Sequence, residues 1–393
     1  MSKKSILMIT ESNYPEGDAG AVRQHCFAKL FSELNYTVEI ACLGKDSFLE
    51  EKTFEDVKYV SFRKPSRSKI IKAENYLGFF RHIRHYYGKR LSMFDVFFVV
   101  NVTPMNFVQI KRFCKNSSIN LVHDCVEWYS PSEFALGRLA PSYISKSLIN
   151  SFIIDRNVKV VSISEYLRDY FAKKGIETIR IPVIMDINSI EVNHIIKNNK
   201  CTFVYAGNPG RKDKLNPMIY AMSRLPKQIL DKMVFKIIGI DKDTLSENTG
   251  ISVTELDKLG DSLAVMGRLP RNSTVDEVRK ADFSVLFRDA SQTFAKAGFP
   301  TKVVEAMSVG TPMFCNLSSD LQMYLDRNNA FITNSIDIES VTDLLITAID
   351  SKNTRKYSQL QYNAYSTALN SFDYRLYKGI LQEFLCLERK NEC

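Results

Sequence analysis

Ala297-Gly298-Phe299-Pro300-Thr301-Lys302-Val303-Val304-Glu305-Ala306-Met307-Ser308-Val309-Gly310-Thr311-Pro312 is a glycine-bearing turn that enters a short helix and stops at Gly310-Thr311-Pro312. Apolar runs at 283–287 and 312–315 flank it, so the segment reads as the crossover of a strand–helix–strand unit in a parallel sheet. A helix N-terminus carries unpaired N–H groups and partial positive charge, which suits a phosphate. Gly298 admits a close backbone approach, and Pro300 is preset for a first turn. Glu305 falls one turn inside, where its carboxylate can accept hydrogen bonds from a ribose diol. Phosphate at the turn and hydroxyls at the carboxylate together describe a nucleoside diphosphate site.

The same alternation extends outward over most of the chain. Strand-like runs occur at 5–10, 37–42, 57–61, 95–100, 120–123, 159–163 and 178–181. After the polar stretch 191–200, which resembles a linker, they resume at 202–206, 234–238, 263–266, 283–287 and 312–315. Between the first two runs lies a helical pattern, 21–35, with Phe27, Leu30, Phe31 and Leu34 on one face. At 393 residues the chain is too long for one ordinary core. We expect two doubly wound α/β domains, 1–188 and 189–370, then a closing helix over 371–393 that carries Leu376, Ile380, Phe384 and Leu387. In open α/β sheets ligands sit at the carboxyl ends of the strands, so two facing domains would hold a ligand in the cleft between them.

Composition narrows the class. Hydrophobic content of 45% with 25% charge is that of a folded soluble protein. No apolar run approaches the ~18–20 residues of a membrane span, and 6–9 is too short for a signal-peptide core. The eight cysteines form no C-x-x-C pair and no cluster with histidine, which argues for a reduced, cytoplasmic setting without a zinc site or disulfides. Between Lys58 and Arg90 there are ten Lys or Arg and one acid, Glu74, so this window's +9 equals the net charge of the whole chain. Tyr59, Phe62, Tyr76, Phe79, Phe80, Tyr86 and Tyr87 are threaded through it. Such a window suits anionic lipid headgroups or nucleic acid, with a plain solvated face as the alternative.

Chemistry-bearing residues follow strands. After the first, Tyr14-Pro15-Glu16-Gly17-Asp18-Ala19-Gly20-Ala21-Val22-Arg23 is a glycine-bearing loop ahead of a helix, either a ligand loop or an ordinary capped one; it is no G-x-G-x-x-G. Gly207-Asn208-Pro209-Gly210-Arg211-Lys212-Asp213-Lys214 places glycines and cations where they can clamp a diphosphate, the alternative being a solvated basic turn. Arg288 is placed for a ligand or for its neighbour Asp289. Met266-Gly267-Arg268 offers backbone to a base. His123, Asp124 and Glu127 are candidates for acceptor handling or proton transfer, with a buried capping Asp as the alternative. Asp241-Lys242-Asp243 reads as a solvated loop rather than a metal-binding D-x-D.

These residues resemble the retaining glycosyltransferases of family 4, which have the GT-B fold, and the likeness covers almost the whole chain. The Pro15…Gly20-Ala21-x-Arg23 loop looks like that family's glycine-rich first loop, and Gly207…Lys212 like its phosphate-binding Gly and Lys. Ser162-Ile163-Ser164-Glu165 with Ile181-Pro182-Val183-Ile184-Met185-Asp186 resembles the interdomain stretch, without its Asn and Gly. Gly298-Phe299-Pro300 through Glu305 resembles the nucleotide-sugar signature, two glutamates separated by seven residues; the first position is Ala297 here. This variant looks like a branch of capsule, O-antigen (lipopolysaccharide) and exopolysaccharide glycosyltransferases. The resemblance implies a cytoplasmic, peripheral-membrane enzyme that moves a sugar from a nucleotide-sugar donor to a glycan or polyprenyl-diphosphate-linked acceptor, with retention of configuration. Glu305 would take the ribose, Lys212 and Arg211 the diphosphate, and the N–H groups of Thr301 and Lys302 the distal phosphate. Gly20, Gly207, Arg288, Gly298 and Phe299 complete the expected donor site. We expect no metal, no other cofactor and no nucleic-acid partner. A nucleotide-sugar epimerase of the same fold, or a non-catalytic sugar-nucleotide or nucleic-acid binder, is the alternative.

Overall fold

The apolar runs at 5–10 and 95–100 are hydrophobic on both faces, as buried parallel strands must be, and both lie at the centre of a sheet. The computed structural model describes residues 3–15, 19–44, 48–190 and 199–386. Glu16, Gly17, Asp18, most of the stretch 191–200, and Leu387 to Cys393 at the end of the expected closing helix lie outside the described residues. The chain divides into two units, Met1–Pro131 with Leu136–Met185 and Tyr374–Cys393, and Ser132–Ala135 with Asp186–Asp373.

The first unit holds strands β1 (Ser5–Thr10), β2 (Thr37–Cys42), β3 (Glu51–Phe54), β4 (Val57–Ser61), β5 (Val96–Val100), β6 (Asn120–Cys125), β7 (Lys159–Ser162) and β8 (Thr178–Arg180). Their order is β3-β4-β2-β1-β5-β6-β7-β8, all parallel except the β3–β4 pair. Met8 pairs with Ile40 on one side and Phe98 on the other. The Ala19–Glu33 helix lays Phe27 and Phe31 on Phe98, with ring centroids 4.8 and 5.1 Å apart. The Lys378–Cys386 helix adds Leu381, Phe384 and Leu385 to this core.

The second unit holds β9 (Cys201–Ala206), β10 (Met233–Ile238), β11 (Leu263–Gly267), β12 (Phe283–Leu286), β13 (Met313–Asn316) and β14 (Ala330–Thr333), in the order β11-β10-β9-β12-β13-β14 and wholly parallel. Both sheets are therefore doubly wound: the chain moves outward from β1 or β9 in one direction, returns, and continues on the other side.

The divisions fall at 185/186 and 373/374, against the expected 188/189 and 370/371. The Asp373 carboxylate accounts for the shift, since it accepts from the N–H groups of Ile187 (3.2 Å) and Asn188 (3.3 Å) and so holds both crossings within the second unit. β3 and β14 went unread in the sequence, β3 because Glu51-Lys52-Thr53-Phe54 is polar and paired only at an edge. The basic window also differs from expectation. Its Tyr59, Phe62, Phe79, Phe80 and Tyr87 are buried core, so the aromatic content serves packing, while Ile70, Tyr76 and Leu77 are exposed with Arg81. Among the described residues no helix is long and apolar enough to cross a membrane. Six of the described cysteines are buried free thiols and Cys386 is exposed; Cys393 lies outside the described residues.

Candidate active site

In the second sheet the winding direction reverses between β9 and β12, and their carboxyl ends define the crevice where an open α/β sheet binds ligands. The turn after β9 begins at Gly207, whose φ of +130° is open to glycine alone. A Cβ there would lie 2.8 Å from Lys302 Cε. Pro209 O receives the N–H groups of Lys212 and Asp213 at 3.1 Å each, and Lys214 N–H donates to Phe287 O at 2.8 Å. The turn is thereby fastened to the end of β12, where Asp213 and Arg288 form an isolated antiparallel bridge.

Asp213 organises this end of the sheet. It is 5% exposed. Its Oδ1 accepts from Arg288 Nε (2.7 Å), and its Oδ2 from the Tyr205 hydroxyl (2.8 Å) and Lys302 Nζ (3.0 Å). Burial alone would raise its pKa, but the Lys302 and Arg288 cations outweigh it and hold the carboxyl at about 2. Lys302 Nζ also sits over the Tyr205 ring, 5.2 Å from its centroid. Two cations against one carboxylate leave this cluster at +1. Asp213 is the residue that sequence reading missed, although it stands within the quoted turn. Of the two roles open to Arg288, pairing with Asp289 is not the one seen: Asp289 accepts from the Ser291 and Gln292 side chains (2.6 and 3.0 Å).

The Thr301–Ser308 helix presents its N-terminus with no side-chain cap and no acid in its first turn. Glu305 lies one turn in and is one-third exposed, with Arg271 Nη2 at 3.6 Å. Burial pushes its pKa above the ordinary carboxylate value, against the opposing pull of Arg271 and Lys302. Gly298 closes the Thr293–Ala297 helix by donating to Phe294 O (3.0 Å), and Phe299 packs on Tyr324 and Phe372. Their visible contribution is therefore to aim the Thr301–Ser308 helix. Lys212 Nζ pairs with Glu133 at 2.8 Å, and Arg211 is exposed on the same turn. Glu133 belongs to the short Ser132–Ala135 stretch that is part of the second unit. Gly267 ends β11 with φ +65°, and its carbonyl accepts from Gly239 N–H at 2.7 Å. Asp241 is a helix cap, accepting from Thr244 N–H at 2.8 Å, rather than part of a free loop.

The first unit gathers its candidates differently. Both Asp124 oxygens are held by Arg23, through Nε at 2.9 Å and Nη2 at 2.8 Å, and Asp124 is fully buried. Arg23 also donates to Ile181 O (3.0 Å) and Pro182 O, so the pair ties β6 to the chain after β8. His123 is buried with Nδ1 3.0 Å from Val99 O, and burial lowers its pKa to about 3, which keeps the imidazole neutral. Glu127 is half-buried and accepts from the Tyr129 hydroxyl. Gly20 stands in the first turn of the Ala19–Glu33 helix. The reversal of the first sheet lies between β1 and β5, and there Glu11 is the buried carboxylate. Its Oε1 accepts from Thr103 N–H (2.9 Å), Thr103 Oγ1 (3.0 Å) and Asn106 Nδ2 (2.6 Å), and burial raises its pKa. Among the described residues no group of three or more His, Cys, Asp or Glu is arranged to hold a metal ion.

Comparison with known proteins agrees with this layout. Residues 186–367 match the family model described as Glycosyl transferases group 1. No curated protein matches the chain. Its fold is similar to a sucrose-phosphate synthase from Thermosynechococcus elongatus (TM-score 0.73, 12% identity, covering 98% of this chain and 99% of that one). It is also similar to WaaG, a glycosyltransferase involved in lipopolysaccharide biosynthesis (0.68, 12%, 98% and 100%). A third similar structure is Anabaena HepE in complex with UDP and glucose (0.64, 16%, 97% and 99%). Residues 186–367, which include the Asp213 cluster and Glu305, thus match a glycosyl transferases group 1 domain, and the chain has the GT-B fold of the glycosyltransferase structures it resembles.

Proposed function

We propose that this chain moves a sugar from a nucleoside diphosphate donor to a lipid-linked glycan acceptor, with retention of anomeric configuration. The observation that carries the reading is the Asp213-anchored pair of cations, Arg288 and Lys302, at the reversal of the second sheet. Lys302 and Arg288 contact the diphosphate, Lys212 joins them, and the Thr301–Ser308 N-terminus receives the distal phosphate. Glu305 accepts from the ribose hydroxyls. As the bond from the anomeric carbon to the phosphate oxygen breaks, its electron pair passes to the leaving diphosphate, where fixed cations and N–H dipoles stabilise the growing charge. This machinery needs no metal, and nucleotide binding is expected to be indifferent to chelators. HepE supports the reading because its structure contains UDP and glucose.

Association with the inner face of an anionic cytoplasmic membrane is part of the proposal. Ile70 (81% exposed) and Leu77 (56%) stand beside Arg81 and Arg84 along the 69–87 helical pair, a surface suited to acidic lipid headgroups.

Calorimetry with UDP, GDP and ADP tests the donor site. Lys302→Ala and Glu305→Gln should each weaken the preferred nucleotide by tenfold or more, and unchanged affinity in both overturns the assignment. Arg81→Glu with Arg84→Glu should abolish salt-sensitive sedimentation with anionic vesicles; sedimentation that ignores both changes and salt removes the membrane reading.

A further inference from the structure

Several cationic side chains among the described residues are almost wholly buried, and one of them stands apart. Arg23 is paired with Asp124 and Lys159 with Glu177 at 3.0 Å. Lys146, 8% exposed, has no carboxylate within ion-pair reach among the described residues. Its Nζ donates to Asn101 Oδ1 at 3.1 Å, a neutral partner that satisfies one of three N–H groups. A buried ammonium without a counter-charge is unfavourable by several kcal/mol unless something supplies one.

The surroundings specify what that would be. Asn101 follows β5 at the reversal of the first sheet, with φ +50°, and its carbonyl accepts from Glu11 N–H at 3.3 Å. Lys146 comes from the Pro141–Leu148 helix, which continues into a π turn at Ile149–Ile153, a distortion that recurs at functional sites. Asn150 lies four residues on. Its Oδ1 accepts from Cys125 Sγ at 3.6 Å, while its Nδ2, fully buried, donates to nothing among the described residues. Lys146 reaches Asn101 just past the end of β5 and Asn150 reaches Cys125 at the end of β6, so the two side chains converge on the ends of neighbouring paired strands. The carboxylates at these strand ends have partners of their own: Asp124 pairs with Arg23, Glu127 accepts from the Tyr129 hydroxyl, and Glu11 Oε1 accepts from Thr103 and Asn106.

We infer that Lys146 and Asn101 form an anion-binding subsite at the carboxyl edge of the first sheet, which takes a phosphoryl group. The inference rests on the reading above only in making that group part of the acceptor. Donors without a counter-charge, at the reversal of a doubly wound sheet, are where such a ligand is held.

The test uses the whole chain with UDP saturating, so that the second unit's site is filled, and titrates inorganic phosphate and, separately, farnesyl diphosphate by calorimetry. Wild type and Lys146→Arg should bind, whereas Lys146→Met, of similar length and uncharged, should bind at least tenfold more weakly. Unliganded Lys146→Met should melt at the same temperature as wild type or higher. The tighter of the two probes identifies the source of the phosphoryl group. Equal binding by Lys146→Met, no binding by wild type, or a lower melting temperature for unliganded Lys146→Met overturns the subsite. Failure of UDP to bind would count against the donor site alone, because the Lys146 comparison can then be made without it.

Discussion

Asp213→Asn replaces a buried carboxylate by an amide of the same shape and leaves Arg288 and Lys302 as like charges without a shared partner. The carboxyl titrates at about 2 in the folded chain against 3.8 for the free group, a difference of 3.8 − 2 = 1.8. At about 1.4 kcal/mol per unit this is roughly 2–3 kcal/mol of stability. Because the folded value is the lower one, the contribution is fully present above about pH 4 and is lost as pH falls toward 2. Stranding two partly buried cations beside the neutral amide raises the expected cost at pH 7 to about 3–5 kcal/mol. Two units need separate probes. The single Trp128 lies in the first unit and serves as internal control, while hydrogen exchange of β9 and β12 amides, corrected for intrinsic rates, reads the second. The variant should lose protection there at pH 7, most of the difference should vanish by pH 2, and adding Lys302→Met should restore part of it. Unaltered protection at pH 7, or a deficit that does not shrink on acidification, would refute the account of Asp213 as anchor.

Two further outcomes follow from the same geometry. Gly207→Ala places a methyl 2.8 Å from Lys302 Cε at a φ of +130°, so it should cost about 1–3 kcal/mol and weaken nucleotide affinity by moving Lys302 off Tyr205, as measured by calorimetry. His123, held neutral to about pH 3 in the fold, protonates near 6.5 when unfolded. The first unit should therefore lose up to about 1.4 kcal/mol per pH unit as pH falls below 6.5. His123→Leu should flatten that slope in urea unfolding followed by Trp128 fluorescence.

The order of strands and helices was legible because it is written locally. β1, β2 and β4 run over the residues their apolar runs announce, and the Thr301–Ser308 helix begins where the Gly-Phe-Pro entry places it. The winding of both sheets follows from alternating strand and helix under right-handed crossover. β3 and β14 escaped because edge strands take their pairing from a neighbour rather than from their own pattern.

What the residues do was less local. Asp124 and His123 end a strand and look available for chemistry, yet β6 extends to Cys125 and both side chains face into packed structure. Asp213 reads as one acid in a basic turn, and only folding brings it to Arg288, 75 residues on, and Lys302, 89 residues on. Lys146 is an unremarked lysine until its burial without a carboxylate is visible. Periodicity records which face a residue presents, so the chain alone determined a pair of doubly wound sheets and a phosphate-suited helix entry. Charge pairing depends on separation through space and on exclusion of water, so the tertiary structure decided which cations are anchored by a carboxylate and which carboxylates already have partners.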